Sequence, residues 1–499
     1  MAISTAIDAS QVARAVGIET KFQTSRQGNV VFLPQRIAVI GQGSTAVTYA
    51  TIKREINNAN EAGSIYGFGS PIHLAVLQLL PLNGDGVRTI PVTVYPLVDD
   101  GVGVAATGNV AAIGTATKDG SYRVVINNIP SASFVILNGA LGTASEALIT
   151  TAINAVLEMP VTAVDDAINN RSNLTSKWEG TSANDITIAI EGPTDAGITF
   201  TIAQPSGGLV NPNIDTALNQ VGDVWESLFL NCMDVADITT LGKLFTFGEG
   251  RRGPLTKKHM VAFVGNTVSG VSSATAVSDA RPTDLINCQL VAPGSKDLPF
   301  VVAARQLTRI AVLANNNPPH GYGSQKATGL TPGLDSEQWD NTERDTAVKN
   351  GSSTVVVRDG VLNLADIVTM YHPTGDPVPA FRYVVDVVKL QNINNSINSI
   401  FENPSWDGAP LIPDNQATVN KSARKPKDAK AEISAMLDGL ALNAIISDPE
   451  SAKNGTIVVI SATNPKRLDI QIPVKLSGNT NIISTDLLFS FFFGEQATA

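Results

Sequence analysis

The residues best suited to chemistry begin with Gly41, Gly43 and Ala46, which follow the apolar run 37–40 at the G-x-G-x-x-A spacing of a dinucleotide-binding turn. Such a turn feeds a buried strand into a helix N-terminus, where unpaired N–H groups can hold a pyrophosphate. The chemistry needs a second feature: an acidic residue about 20 positions on, at the end of the next parallel strand, to hold ribose hydroxyls. Glu61 has the distance, but it sits in NNANEAGSIYG, a helix running into a turn, and the next convincing strand comes only near residue 90. The glycines therefore read as a tight connection that only a residue without a side chain allows. An NAD- or nucleotide-dependent enzyme remains the rival to a structural protein.

Other candidates are weaker. His73, His259, His320 and His372 are scattered, with no acidic or second histidine ligand at helical spacing. Neither a G-x-S-x-G elbow nor a G-x-x-x-x-G-K-[ST] phosphate loop occurs. In SDARPTD, Asp279 and Asp284 flank Arg281; an acid–base pair is conceivable, and a turn with a local salt bridge is the plainer expectation. Cys232 and Cys288 have no metal spacing and read as buried free thiols, which fits assembly in a reducing compartment. No catalytic residue, metal or cofactor is expected.

Two features retain force. The segment NKSARKPKDAK places Lys421, Arg424, Lys425, Lys427 and Lys430 together in a chain of net charge −10. It reads as a solvated loop or as an electrostatic contact with an acidic protein partner. Both chain ends also carry strand-forming residues: NVVFL, with Val30, Val31, Phe32 and Leu33, and DLLFSFFF, with Leu487, Leu488, Phe489 and Phe491. An exposed apolar strand is an aggregation hazard unless it is covered or pairs with another chain. These strands either close the chain's own sheet or are donated to a neighbour's.

The elements that must position these residues divide the 499-residue chain into several units. Residues 1–35 form an arm, with one strand ending at Pro34. Residues 36–97 are α/β: a strand to Gly41, a helical stretch through TYATIKREINNANEAG, a helix from Pro71 to Leu82 capped by Ser70, and the strand RTIPVTVYPL. Residues 98–208 show short alternating runs with Asp-Gly and Asn-Asn turns, the pattern of an inserted β-rich domain. Residues 209–333 resume α/β alternation, 334–479 form a C-terminal α+β domain with a long helix through Val384, Val388, Ile397 and Ile400, and 480–499 are a second arm. The expected fold class is α/β, or α+β multidomain taken over the whole chain. Charged residues are 16% of the sequence, against roughly 25% in an average domain, so much of the surface is expected to lie against something else. The acidic balance argues against duplex binding. The N-terminus lacks the pattern of a signal peptide, and no apolar run reaches about 18 residues, so neither secretion nor a membrane span is expected.

In order along the chain, LPQRIAVIGQG, YGFGSPIHLAVLQLLP, AINAVLEMPVTA, LTSKWEGTSANDITI, SGGLVNPNIDTALNQVGDVWESLFLN and RLDIQIPVKLSG resemble the contractile tail sheath proteins of myophages, in particular the Mu-like branch. None is a sharp motif alone; their succession from about residue 30 to 493 carries the resemblance. It implies a virion structural protein that polymerises helically around a tail tube, contracts, and drives the tube through the host envelope. It also implies an inner domain over 334–479, an outer inserted domain, and arms at about 15–34 and 480–494 that pair with neighbours. The partners implied are further copies of the chain, the tube protein, and baseplate and terminator or neck proteins, with assembly in the host cytoplasm. The tube contact is placed at residues 421–430. A tube or baseplate component is the alternative within the same class.

Overall fold

The computed structural model describes residues 32–373, 375 and 380–489. They fall into two compact units, 395–477 and the remainder, and the division lies within one long helix.

The larger unit begins with β1 (Ile37–Gln42), β2 (Arg54–Ile56), α1 (Ala59–Tyr66), α2 (Pro71–Leu79) and β3 (Val92–Leu97). An insertion then runs through β4 (Ala105–Gly114), β5 (Gly120–Ile126), β6 (Ile129–Pro130), β7 (Phe134–Ile136), α3 (Glu146–Asn154), β8 (Val161–Asp166), β9 (Arg171–Glu179), β10 (Ile188–Glu191) and β11 (Ile198–Ser206). Next come α4 (Asp215–Leu218), β12 (Leu228–Asn231), α5 (Ile238–Arg252), β13 (Val261–Asn266), α6 (Val271–Ala280), β14 (Ile286–Leu290) and α7 (Pro299–Asn316). The unit ends with α8 (Asn341–Lys349), β15 (Ser352–Ser353), β16 (Val355–Arg358), β17 (Val361–Leu364) and α9 (Val384–Phe401), whose last turns enter the smaller unit.

A seven-stranded sheet in the order β15-β14-β13-β12-β1-β3-β2 forms its centre. All its pairings are parallel except β2 on β3. β1, β3, β12, β13 and β14 are buried along their whole length. That is why they appear in the sequence as continuous apolar runs and not as alternations. α2 and α7 pack on this sheet and on each other. Ser70 Oγ accepts the His73 amide at 3.3 Å, and Pro71 occupies the first helical position, as expected. The helix closes at Leu79, three residues short of Leu82.

The stretch 48–63, expected to be helical, departs from expectation. Arg54–Ile56 is an edge strand, and helix starts only at Ala59, where Asn58 Oδ1 accepts the Glu61 amide at 2.9 Å. Arg54 and Glu55 are exposed on this strand, where charge protects an open sheet edge. Phe32 to Pro34 also form no strand; the other residues of that expected strand lie outside the described part of the chain.

The insertion folds into two antiparallel four-stranded sheets, one with the path β10-β5-β6 and β7 added on β5, the other β11-β4-β9-β8. Burial alternates along β5 and β9, the pattern of strands with one face on a core. Asn127 and Asn128, at φ 47° and 62°, make the left-handed turn that returns β5 into β6. Trp178 is fully buried, gives its indole N–H to Ser182 Oγ at 3.0 Å, and meets Phe300 of α7 edge-on.

The smaller unit contains α10 (Pro426–Leu442), β18 (Ile446–Ser447), α11 (Pro449–Gly455), β19 (Ile457–Ile460), β20 (Leu468–Gln471) and β21 (Lys475–Leu476). Its strands make two-stranded antiparallel pairs, β18 with β21 and β19 with β20.

Candidate functional site: the glycine turn, the basic segment and the chain ends

β1 lies between β3 and β12, so its C-terminal end is the place where a doubly wound sheet would take a ligand. Protein occupies that place. Gly43 gives its N–H to the Tyr49 hydroxyl at 2.9 Å, and the hydroxyl donates to the Leu97 carbonyl at 2.7 Å. Burial pushes the Tyr49 pKa up to about 12, so the hydroxyl keeps the proton it donates. A Cβ at Gly43 would lie 2.3 Å from the Tyr49 ring, and one at Gly41 would lie 3.2 Å from Cys232. Turn and coil, not a helix N-terminus, follow Gly43. Glu61 caps its own helix and pairs with Arg54 at 3.3 Å.

β9 fills what remains of the crevice. The Thr45 amide donates to Lys177 O at 2.8 Å, and Gln42 Nε2 donates to Glu179 O at 2.7 Å and to Asp99 Oδ1 at 2.5 Å. Lys177 Nζ in turn donates to the carbonyls of Phe68 at 2.9 Å and Leu157 at 3.0 Å; burial lowers its pKa to about 8. The G-x-G-x-x-A spacing is thus a packing device that lets Tyr49, α2 and the insertion close on the end of β1.

His73 belongs to this seam. It is buried, its ring stands edge-on to Phe68, and its Nδ1 accepts the Gly69 amide at 3.1 Å. Protonation at Nδ1 would turn that acceptor into a second donor facing an N–H. Burial already holds its pKa down, from 6.5 to about 4. The unfolded chain therefore binds this proton more readily than the folded one, so stability falls as pH drops from 6.5 towards 4. The expected loss is up to about 3 kcal/mol. His73→Asn keeps an acceptor and cannot titrate. Denaturant unfolding at stepped pH is expected to give a shallower acid limb for this variant, and parallel limbs would refute the assignment.

SDARPTD does not form its expected local salt bridge. Asp279 reaches His372 Nε2 at 2.8 Å, Asp284 pairs with Arg252 at 2.8 Å, and Arg281 stacks over the Phe245 ring at 5.5 Å. The motif ends a helix, so consecutive side chains point to different neighbours. Cys232 and Cys288 are free and buried, and burial raises both thiol pKa values. Among the described residues no group of three or more His, Cys, Asp or Glu is placed to hold a metal, and no helix is long and apolar enough to cross a membrane.

The basic segment leads into α10. Arg424 donates to Ser405 O at 2.9 Å and lies over the Trp406 ring, and Lys425 Nζ donates to Gln416 O at 2.5 Å. Lys430 is half-buried, whereas Lys421 and Lys427 are exposed. At the chain ends, Val30, Val31 and Phe491 lie outside the described residues. Phe32 is half-buried, and Leu33 is buried in its own chain. Ile482, Ile483, Leu487, Leu488 and Phe489 are each 76–89% exposed.

A scan against protein-family models finds no match. The chain is 24% identical over 425 residues to the Mu-like prophage FluMu tail sheath protein of Haemophilus influenzae, covering 82% of this chain and 83% of that protein. The resemblance to Mu-like contractile tail sheath proteins read from the sequence is thereby borne out. Solved sheath tail proteins also align along most of the chain. One from Desulfitobacterium hafniense is 12% identical, covers 93% of this chain and 97% of its own, and has a TM-score of 0.48. One from Listeria innocua is 14% identical, with coverage of 91% and 94% and a TM-score of 0.48.

Proposed function

We propose that the chain is the structural subunit of a contractile tail sheath, polymerising helically around a tail tube and shortening to drive that tube through a host envelope. The observation that carries this reading is the exposed stretch from Ile482 to Phe489, rich in apolar residues and in no sheet among the described residues. A hairpin suited to receive such a segment is β19–β20, whose outward residues Ile457 and Val459 are half-exposed. A neighbour's arm added to this hairpin would gain main-chain hydrogen bonds, each contributing roughly 0.5–1.5 kcal/mol net. The resemblance over 82% of the chain supports the same class.

In this reading residues 1–35 and 480–499 are inter-protomer arms, with 32–35 as a root held by the chain's own body, 334–479 the tube-facing domain, and 98–208 an outer domain. Head-to-tail contacts that do not close a ring generate a helix. Protomer packings differing by a few kcal/mol store the work at assembly, and the arms hold the lattice together while globular faces slide. Baseplate and terminator proteins bound its ends, and no nucleotide is consumed. Lys421 and Lys427 are the exposed charges we assign to the tube.

Negative-stain imaging of the concentrated full chain, alone and with tube protein, tests this. Long regular tubes are expected, and a well-behaved monomer at high concentration overturns the function. Lys421→Glu with Lys427→Glu is expected to reduce copolymerisation with the tube more than self-assembly. Equal effects on both, or none, remove the tube contact.

A further inference from the structure

The side chain of Lys389 is fully buried in the middle of α9. Placing an ammonium there costs several kcal/mol unless its partners satisfy it. Two of its partners are Asp386 Oδ1 at 3.0 Å, on its own helix, and Asn479 Oδ1 at 2.9 Å, just before the exposed C-terminal run. Asn479 is fixed a second time, giving its Nδ2 to Pro319 O at 2.7 Å, and Asn481 is hydrogen-bonded to the Tyr383 hydroxyl at the start of α9. Beyond it the chain is exposed from Ile482 to Phe489.

One helical turn from Lys389, Asn392 does the same for the other end. Its Oδ1 accepts the Leu33 amide at 2.9 Å, while its Nδ2 donates to Val388 O within the helix. Gln35 continues the attachment, accepting from Ser227 Oγ at 2.7 Å and giving its amide to Asn315 at 3.2 Å. A segment held by side-chain amides and buried at Leu33 and Gln35 is fixed to the body before it leaves it.

We infer that α9 is a common anchor for the roots of both terminal arms, with Lys389 and Asn392 as the positioning residues. This rests on the reading of the chain ends as inter-protomer arms. Three residues along a helix span about 4.5 Å, so the two attachment points lie within one turn. Tension arriving through one arm has a short route to the other across that turn, beside the covalent route into β1. The distance between the two exits stays fixed while surrounding faces repack, so the arms transmit register as well as connection.

The test uses the full chain carrying Lys389→Met, and separately Asn479→Ala, which alters only the half-buried arm root and leaves the helix intact. Both are expected to form tubes whose diffraction loses its sharp layer lines. A nitroxide on Ile482→Cys, which the buried native cysteines leave as the reactive thiol, is expected to gain mobility in both variants. Wild-type layer lines from Asn479→Ala overturn the inference. A truncation lacking 484–499, imaged alongside, separates the two ideas. If it also forms wild-type tubes, the arm reading itself fails; if it forms none while Asn479→Ala tubes are fully ordered, only the anchor fails.

Discussion

Removing residues 484–499 is expected to leave a folded protomer that no longer forms long tubes. The described part of that stretch, 484–489, has no regular structure and is exposed, so its loss takes little from the protomer's core. Thermal unfolding of the isolated protomer is expected to change little. Assembly loses much more. Burying Leu487, Leu488 and Phe489 against a neighbour contributes on the order of 5 kcal/mol, with main-chain hydrogen bonds in addition. Each tenfold in association corresponds to about 1.4 kcal/mol, so every junction weakens by at least roughly three decades. Regular contractile tubes from the truncated chain, seen by electron microscopy, would remove the arm assignment.

Gly69→Ala is expected to be the most damaging single substitution at the seam between the insertion and the main sheet. Gly69 has φ +78°, and a Cβ there would meet the Met159 carbonyl oxygen at 2.1 Å and Lys177 Nζ at 2.9 Å. The first contact is backbone and cannot rotate away. Either the loop before α2 or the start of β8 must move, and Lys177 loses its fit to the Phe68 and Leu157 carbonyls. Strain and lost contacts together are expected to cost about 3 kcal/mol or more. Gly139→Ala is the control: its φ is +83°, yet nothing lies within 4 Å of the added carbon. The two variants share the backbone penalty and differ in the collision. Denaturant titration and limited proteolysis of the insertion measure the difference, and equal costs would show that the seam tolerates the displacement.

How much of this was legible depended on whether the determining contacts were local. The α2 cap was readable because Ser70 and Pro71 act on their own helix. The alternation in the insertion was readable because each strand has one face on a core. α5 and α6 gave no such signal: the first contains Gly242, Gly248 and Gly250, the second is rich in Ser and Thr, and both are held by packing rather than by propensity. The error over 48–63 had a local remedy, since Asn58 stands three residues before Glu61 and marks the true helix start. The glycine spacing itself was visible; what fills it was not, because β9 arrives more than 100 residues later. The anchor on α9 left a faint trace, polar residues Asp386, Lys389 and Asn392 at intervals of three in the more apolar first half of the helix. Read alone, that pattern is a solvated stripe; only the fold places it against the chain ends.

Val104 and Leu209, at the two limits of the insertion, exchange both main-chain hydrogen bonds, at 3.0 and 3.1 Å. A segment that leaves and rejoins the body through neighbouring residues can change in length without separating the two ends of the chain it interrupts. Closing a longer excursion between the same two points costs only about 0.6 kcal/mol per doubling of length. The doorway at Val104 and Leu209 therefore tolerates added length in the outer loops, provided β9 keeps its place against the end of β1.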